Sequence, residues 1–269
     1  KSTLINTVIG LLPSNARIGG GQVLFDGRDM LKMRPDQLQD LLGQRMTAVF
    51  QDPMTALNPV LSIGQQMTAI QYRSAASSTE KRRRAVEYLA KVRIPDPEQR
   101  LGQYPHQFSG GMRQRICIAM ALLAKPDLMI ADEPTTALDV TIQGQILDLI
   151  QDLVQERAMA LVLISHDLGV VAEMADRIVI MRGGEVMEAG DTGRVLSEQT
   201  HPYTRQLAQA SMHVPARGPH QPPPIILSLS KDRGGGHSAS PSPPRSARHL
   251  TTPTGGERMG SSISGHPLP

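Results

Sequence analysis

The stretch Leu128-Met129-Ile130-Ala131-Asp132-Glu133-Pro134 decides how this chain is read. Four apolar residues followed by two acids predict a buried central strand whose carboxylates emerge at its C-terminal end. That is the edge at which open α/β sheets hold their ligands. Adjacent acids there suit metal and water chemistry. Asp132 is placed to hold Mg2+ through water, and Glu133 to polarise an attacking water in phosphoryl transfer. An ordinary strand with an acidic turn has the same local pattern, so the decision rests on the flanking residues.

Those residues belong to a chain of 269 that lacks Trp and carries only 3% aromatics, so its core must be built from aliphatic side chains and Met. Such a core suits helices packed on a parallel sheet. The single cysteine, Cys117, excludes an internal disulfide and any multi-cysteine metal site within one chain, and it is read as a small core residue. The pI of 9.2 is misleading. Residues 215–269 hold six Lys/Arg against Asp232 and Glu257, a net +4, while the whole chain is +3, which leaves residues 1–214 near −1. A nucleic-acid partner is therefore not expected. No apolar run reaches the roughly 18 residues of a membrane span, and no secretory signal opens the sequence.

Upstream of the acidic strand, Lys1-Ser2-Thr3 precedes an apolar pattern of helical spacing that stops at Pro13. The tail end of a phosphate-binding loop has this form, with an amine for the β/γ-phosphates and a hydroxyl for Mg2+. Gly19-Gly20-Gly21 and Gln22–Gly27 predict an antiparallel hairpin at the edge of the sheet. Thr47–Phe50 reads as a strand ending at Gln51, whose neutral amide can ligate Mg2+ without opposing phosphate charge. From Ser62 to Pro105 the spacing is helical, with the run Lys81–Arg84 read as a solvated helix face. Ser109-Gly110-Gly111 then opens another helix, Ser109 as its N-cap and the glycines letting backbone amides approach an anion.

Downstream, Thr135–Asp139 forms a polar loop, Thr141–Arg157 a helix and Ala160–Ile164 the next apolar strand. His166 follows that strand, placed to contact a γ-phosphate or hold the attacking water. Ile178–Met181 and Glu185–Glu188 predict a closing hairpin around Gly183-Gly184. From Pro215 the last 55 positions contain 11 Pro, 8 Gly and 9 Ser, a tail that should not fold alone and is read as disordered. Ile225-Ile226-Leu227 is its only apolar cluster.

In this order the pieces resemble the nucleotide-binding subunit of an ATP-binding cassette transporter, from Lys1 to about Leu207. Lys1-Ser2-Thr3 is similar to the end of the Walker A loop, Gln51 to the Q-loop and Ser109-Gly110-Gly111 to the signature motif. Leu128–Glu133 is similar to Walker B, Ala137-Leu138-Asp139 to the D-loop and His166 to the switch histidine. Gln51–Pro59, Tyr104–Arg115 and His201–Leu207 resemble the dipeptide/oligopeptide importers, a group that also takes up nickel and glutathione.

The resemblance implies an α/β fold: a RecA-like P-loop NTPase core (1–59 and 115–200), an edge antiparallel β-subdomain, a helical subdomain (60–114) and an importer segment (201–214), all within residues 1–214. It further implies ATP and Mg2+ as cofactors, with Ser2, Gln51 and Asp132 on the metal. ATP would lie between two such subunits, gripped by Lys1, Ser2, Thr3, Gln51 and Asp132 of one and by Ser109, Gly110 and Gly111 of the other, with Asp139 at the junction. Glu133 would drive hydrolysis with support from His166. The implied partners are a second ATPase subunit, two transmembrane permeases and an extracytoplasmic solute-binding protein. The implied location is peripheral, on the cytoplasmic face of the inner or plasma membrane.

The Gly-x-x-Gly-x-Gly run and the adenine-stacking aromatic that would precede Lys1 are not in this sequence. The chain as it stands is therefore expected to bind ATP poorly and to be N-terminally truncated. Two other readings stay open: a soluble cassette ATPase of repair or translation, and a non-catalytic remnant. Gln51–Pro59 and the length of 60–114, which look like a permease-docking surface, speak against the soluble one.

Overall fold

Apolar runs of four to six residues alternate here with longer segments of helical period, and in the computed structural model they become strands and helices of one layered α/β unit. The structure describes residues 2–136, 138–212 and 225–230, with side chains for 3–136 and 138–211. Helix α1 (Ser2–Val8) is followed by the short strands β1 (Leu24–Phe25) and β2 (Arg28–Asp29), helix α2 (Pro35–Leu41) and strand β3 (Met46–Val49). Helices α3 (Pro53–Ala56), α4 (Ile63–Ala69), α5 (Ser78–Lys91), α6 (Pro97–Arg100) and α7 (Gly110–Leu123) come next. Then come β4 (Leu128–Asp132), α8 (Val140–Arg157), β5 (Ala160–Ser165) and α9 (Leu168–Met174). The hairpin β6 (Arg177–Arg182) and β7 (Glu185–Asp191), helices α10 (Thr192–Glu198) and α11 (Pro202–Met212), and β8 (Ile225–Ser230) complete the described strands and α-helices.

The main sheet has six strands in the order β3-β4-β5-β8-β6-β7. β3, β4 and β5 run parallel, with Val49 level with Ala131 and Asp132 level with Ile164. β8 is antiparallel to both β5 and β6, and β7 is antiparallel to β6.

Period-two alternation along β4 sends its side chains into two apolar layers. Ile130 joins Ile5, Ile9, Met30, Met46 and Ile164 on one face, under α1. Met129 and Ala131 join the larger layer on the other, with Ile116 and Leu122 of α7 and Ile146, Leu149 and Ile150 of α8. Both layers exclude water, which is why β4 reads as an unbroken apolar run. Each such aliphatic side chain contributes about 1.5–3 kcal/mol by burial.

Residues between β3 and α7 are helical, as their spacing predicts. Ser62 caps α4 by accepting from Gln65 N while Gln65 Oε1 accepts from Ser62 N, a reciprocal pair that fixes the helix start. Ile63, Met67, Leu89 and Leu101 of this segment are continuous with the larger apolar layer. Cys117 packs on the same layer, and its thiol is pushed up to about 12, first by burial and then by the nearby charge of Asp52. It is neutral at physiological pH, in keeping with a packing role.

Two features differ from the sequence-based expectation. The hairpin expected at the edge of the sheet forms a separate two-stranded sheet, β1 with β2, and lays Val23 and Phe25 against the layer that contains α1. Apolar contact with that layer, not edge pairing, positions it. The second difference concerns residues 215–269, read as disordered. Ile225–Ser230 of that stretch are strand β8, paired along five residues with each of β5 and β6. The hexapeptide Ile-Ile-Leu-Ser-Leu-Ser has strand-forming composition, and every backbone partner it uses comes from the body of the chain. The rest of the stretch lies outside the described residues.

Candidate functional site

Three parallel strands end side by side, and the residues just beyond them form the site. β4 delivers Asp132 and Glu133. β3 delivers Gln51, two residues past Val49, and β5 delivers His166, two residues past Ile164. Parallel pairing aligns these C-terminal ends, so residues far apart in sequence arrive at one edge.

Asp132 and Glu133 are 7% and 9% exposed, a degree of burial that is costly for two adjacent acids unless each is given partners. Glu133 N donates to Ile164 O at 2.9 Å, which ties the end of β4 to β5. Its backbone then turns into the left-handed region, with φ of +48°. Thr136 N donates to Glu133 O at 3.2 Å and closes the turn. On the side chain, Thr136 Oγ1 donates to Glu133 Oε2 at 3.0 Å, and His166 Nδ1 lies 3.5 Å from the same oxygen.

His166 sits between two local anchors. Ser165 Oγ accepts from Asp167 N at 3.0 Å, and the Asp167 carboxylate caps α9 by accepting from Gly169 N at 2.8 Å. The imidazole is half exposed, open to a substrate on one side and to Glu133 on the other. A carboxylate beside an imidazole at a strand edge can orient a water and accept its proton.

The other expected residues divide into two groups. Lys1 lies outside the described residues, as does the side chain of Ser2; Thr3 is exposed on α1, where its carbonyl accepts from Thr7 Oγ1 at 2.8 Å. Gln51 is exposed, ahead of Asp52, whose carboxylate caps α3 by accepting from Met54 N at 2.8 Å. Ser109 caps α7, its Oγ accepting from Met112 N at 3.3 Å. Gly110 and Gly111 pack against the start of α8. A Cβ on Gly111 would meet Ile142 Cγ2 at 2.7 Å, and one on Gly110 would meet Leu138 Cδ2 at 3.6 Å. The Asp139 carboxylate caps α8 by accepting from Ile142 N at 2.9 Å. Glu133 and His166 are therefore in contact, whereas Ser109, Gly110, Gly111 and Asp139 form a second assembly at the α7–α8 junction.

For a metal, the carboxylate of Asp132 and the amide oxygen of Gln51 are hard oxygen donors of the kind Mg2+ takes. Among the described residues no group of three or more His, Cys, Asp and Glu forms a closed metal cage. Mg2+ at phosphate sites needs none, since waters and phosphate oxygens complete its shell. Two contributions escaped the sequence reading. Thr136 reads in the sequence only as part of a polar loop, although its place three residues after Glu133 is a usable signal of a turn. Leu138 and Ile142 show their contact with the glycines only in three dimensions.

A sheet whose parallel strands end at such an acidic edge is an arrangement found among nucleotide-handling α/β proteins. The ATP-binding cassette MJ0796, solved as a dimer in a post-hydrolysis state with ADP and Pi, shares the fold, with a TM-score of 0.61 and 29% identity over 71% of this chain and 80% of that one. The family pattern described as ABC transporter matches residues 1–136, and the chain belongs to that family. It is 46% identical over 209 residues to the dipeptide transport ATP-binding protein DppD of Bacillus subtilis, covering 77% of this chain and 62% of that protein. It is 49% identical over 206 residues to the oligopeptide transport ATP-binding protein OppD of the same organism, covering 76% and 58%. The chain thus spans about three fifths of the length of these relatives.

Proposed function

We propose that this chain is the ATP-binding and ATP-hydrolysing part of an importer for dipeptides, oligopeptides or a related solute. The observation that carries the reading is the meeting of Glu133 and His166, 3.5 Å apart, at the aligned ends of β4 and β5. Glu133 accepts the proton of the attacking water, and His166 holds that water and faces the γ-phosphate. Asp132, Gln51 and Ser2 would hold Mg2+, which when bound would neutralise charge on the phosphates. Lys1 and Thr3 complete the phosphate contacts, Thr3 from the first turn of α1.

In this reading Ser109, Gly110, Gly111 and Asp139 serve the nucleotide of a second ATPase subunit, which accounts for their assembly away from Glu133. Residues 60–114 act as a helical subdomain and 201–214 as the importer segment of a domain spanning 1–214. Two permeases dock on the helical side. That docking is supported by an apolar groove of about 930 Å³ beside β3, lined in part by Phe50, Leu57, Ile70 and Tyr72. Among the described residues no helix is long and apolar enough to cross a membrane, so the attachment proposed is peripheral, on the cytoplasmic face. A solute-binding protein delivers cargo from the other side. The peptide class rests on the similarity to the dipeptide and oligopeptide relatives.

The test is ATP turnover by the full chain, and by a form extended upstream through its genomic sequence, each with Glu133→Gln. Turnover in the variant is expected to fall by about 10²–10⁴-fold while ATP-driven dimerisation persists. Turnover equal to the parent's would overturn the role given to Glu133.

A further inference from the structure

The turn after β4 carries a hydroxyl that the reading of Glu133 as base does not use. Thr136 binds Glu133 twice, through its backbone N–H to the Glu133 carbonyl at 3.2 Å and through Oγ1 to Oε2 at 3.0 Å. Thr136 is half-buried, and the oxygen it holds is the one that faces His166. A glutamate has three rotatable side-chain bonds, and a base that must reach one water loses rate when its carboxylate samples several rotamers. The β-branch of Thr136 restricts its own χ1, which limits the positions its hydroxyl can take.

We propose that Thr136 is a positioning residue for hydrolysis: its hydroxyl fixes the rotamer of the Glu133 carboxylate beside His166. This rests on the reading of Glu133 as the base. The ligation of nucleotide involves other residues, so the effect falls on turnover and leaves ATP affinity alone.

The experiment compares Thr136→Val, which keeps the shape and removes the donor, with Thr136→Ser, which keeps the donor. In the form that turns over ATP, Thr136→Val is expected to lower kcat by about ten- to a hundredfold, the worth of one hydrogen bond to a charged group, with KM for ATP within about twofold. Thr136→Ser is expected to restore kcat. Glu133→Gln in the same assay separates the two ideas. If it is inactive while Thr136→Val turns over like the parent, Thr136 has no positioning role and the base assignment survives. If Glu133→Gln is fully active, the base assignment itself has failed.

A readout independent of turnover uses thermal unfolding of the full chain as a double-mutant cycle of Thr136→Val with Glu133→Ala. The Tm shift of Thr136→Val is expected to vanish when Glu133 is already Ala, because the bond has lost its acceptor. Equal shifts in both backgrounds would overturn the proposal.

Discussion

The two halves of the main sheet are built on different pairing rules. β3, β4 and β5 run parallel and end together, so Gln51, Asp132, Glu133 and His166 follow one another across a single edge. In β8, β6 and β7 the direction alternates, and successive strand ends fall on opposite edges. No candidate catalytic residue comes from that half. The contrast shows why the candidate residues gather where they do: parallel pairing brings polar strand ends to one edge, and antiparallel pairing distributes them.

The largest effect that would break this contrast comes from core deletions in each half. Ile130→Ala in β4 and Ile180→Ala in β6 each remove a fully buried side chain and are expected to cost about 2–5 kcal/mol in denaturant unfolding. Turnover per folded molecule should fall in the β4 variant alone, because only β4 carries Asp132 and Glu133. An equal loss of specific activity in Ile180→Ala would show that the two halves do not divide the labour.

A smaller effect tests the second assembly. Gly111→Ala places a methyl 2.7 Å from Ile142 Cγ2 and should destabilise by about 1–3 kcal/mol, whereas Gly110→Ala meets Leu138 at an ordinary 3.6 Å and should cost less. Adding Ile142→Ala to Gly111→Ala should recover stability. If the order of the two glycine variants in chemical denaturation is reversed, the junction is not packed as described.

The smallest effect lies outside both halves. Hydrogen bonds from Arg83 and then Arg84 lower the Glu80 carboxyl from its ordinary 4.5 to about 2. A depressed folded-state value contributes stability that is present above about pH 4.5 and is lost as the pH falls towards 2. The group is exposed, so the contribution is small and screened by salt. The unfolding midpoint of Glu80→Gln, compared with the parent from pH 6 down to 2, should converge with it at the acid end and leave turnover unchanged.

Much of this was legible in the sequence for one physical reason: central parallel strands are apolar on both faces and end abruptly in polar residues. Leu128–Glu133 and Ala160–His166 carry that pattern, so the strands and the residues beyond them could be placed from order alone. The cap residue Ser109 was legible too, since a short polar side chain before an apolar helical pattern has few other roles, whereas Asp139 reads in the sequence only as the end of a polar loop. Three things were hidden. The pairing of Ile225–Ser230 with β5 and β6 depends on partners distant in the chain, and its local composition is diluted by the Pro, Gly and Ser around it. The separation of β1 and β2 from the main sheet is settled by which layer Val23 and Phe25 cover. The partner of Thr136 was hidden: its place three residues after Glu133 signals a turn, but the return of its hydroxyl to Glu133 Oε2 shows only in three dimensions.

The positive φ at Glu133 sets folding against chemistry at a single position. A glutamate held in the left-handed region costs on the order of 1–3 kcal/mol, a penalty that Gly or Asn would largely escape. Glu133 is also an acid held at 9% exposure. In the role proposed for it, Glu133 is kept for chemistry in place of a more robust residue. On that reading, copies of this chain released from selection for turnover should accept Gly or Asn at position 133 and become harder to unfold.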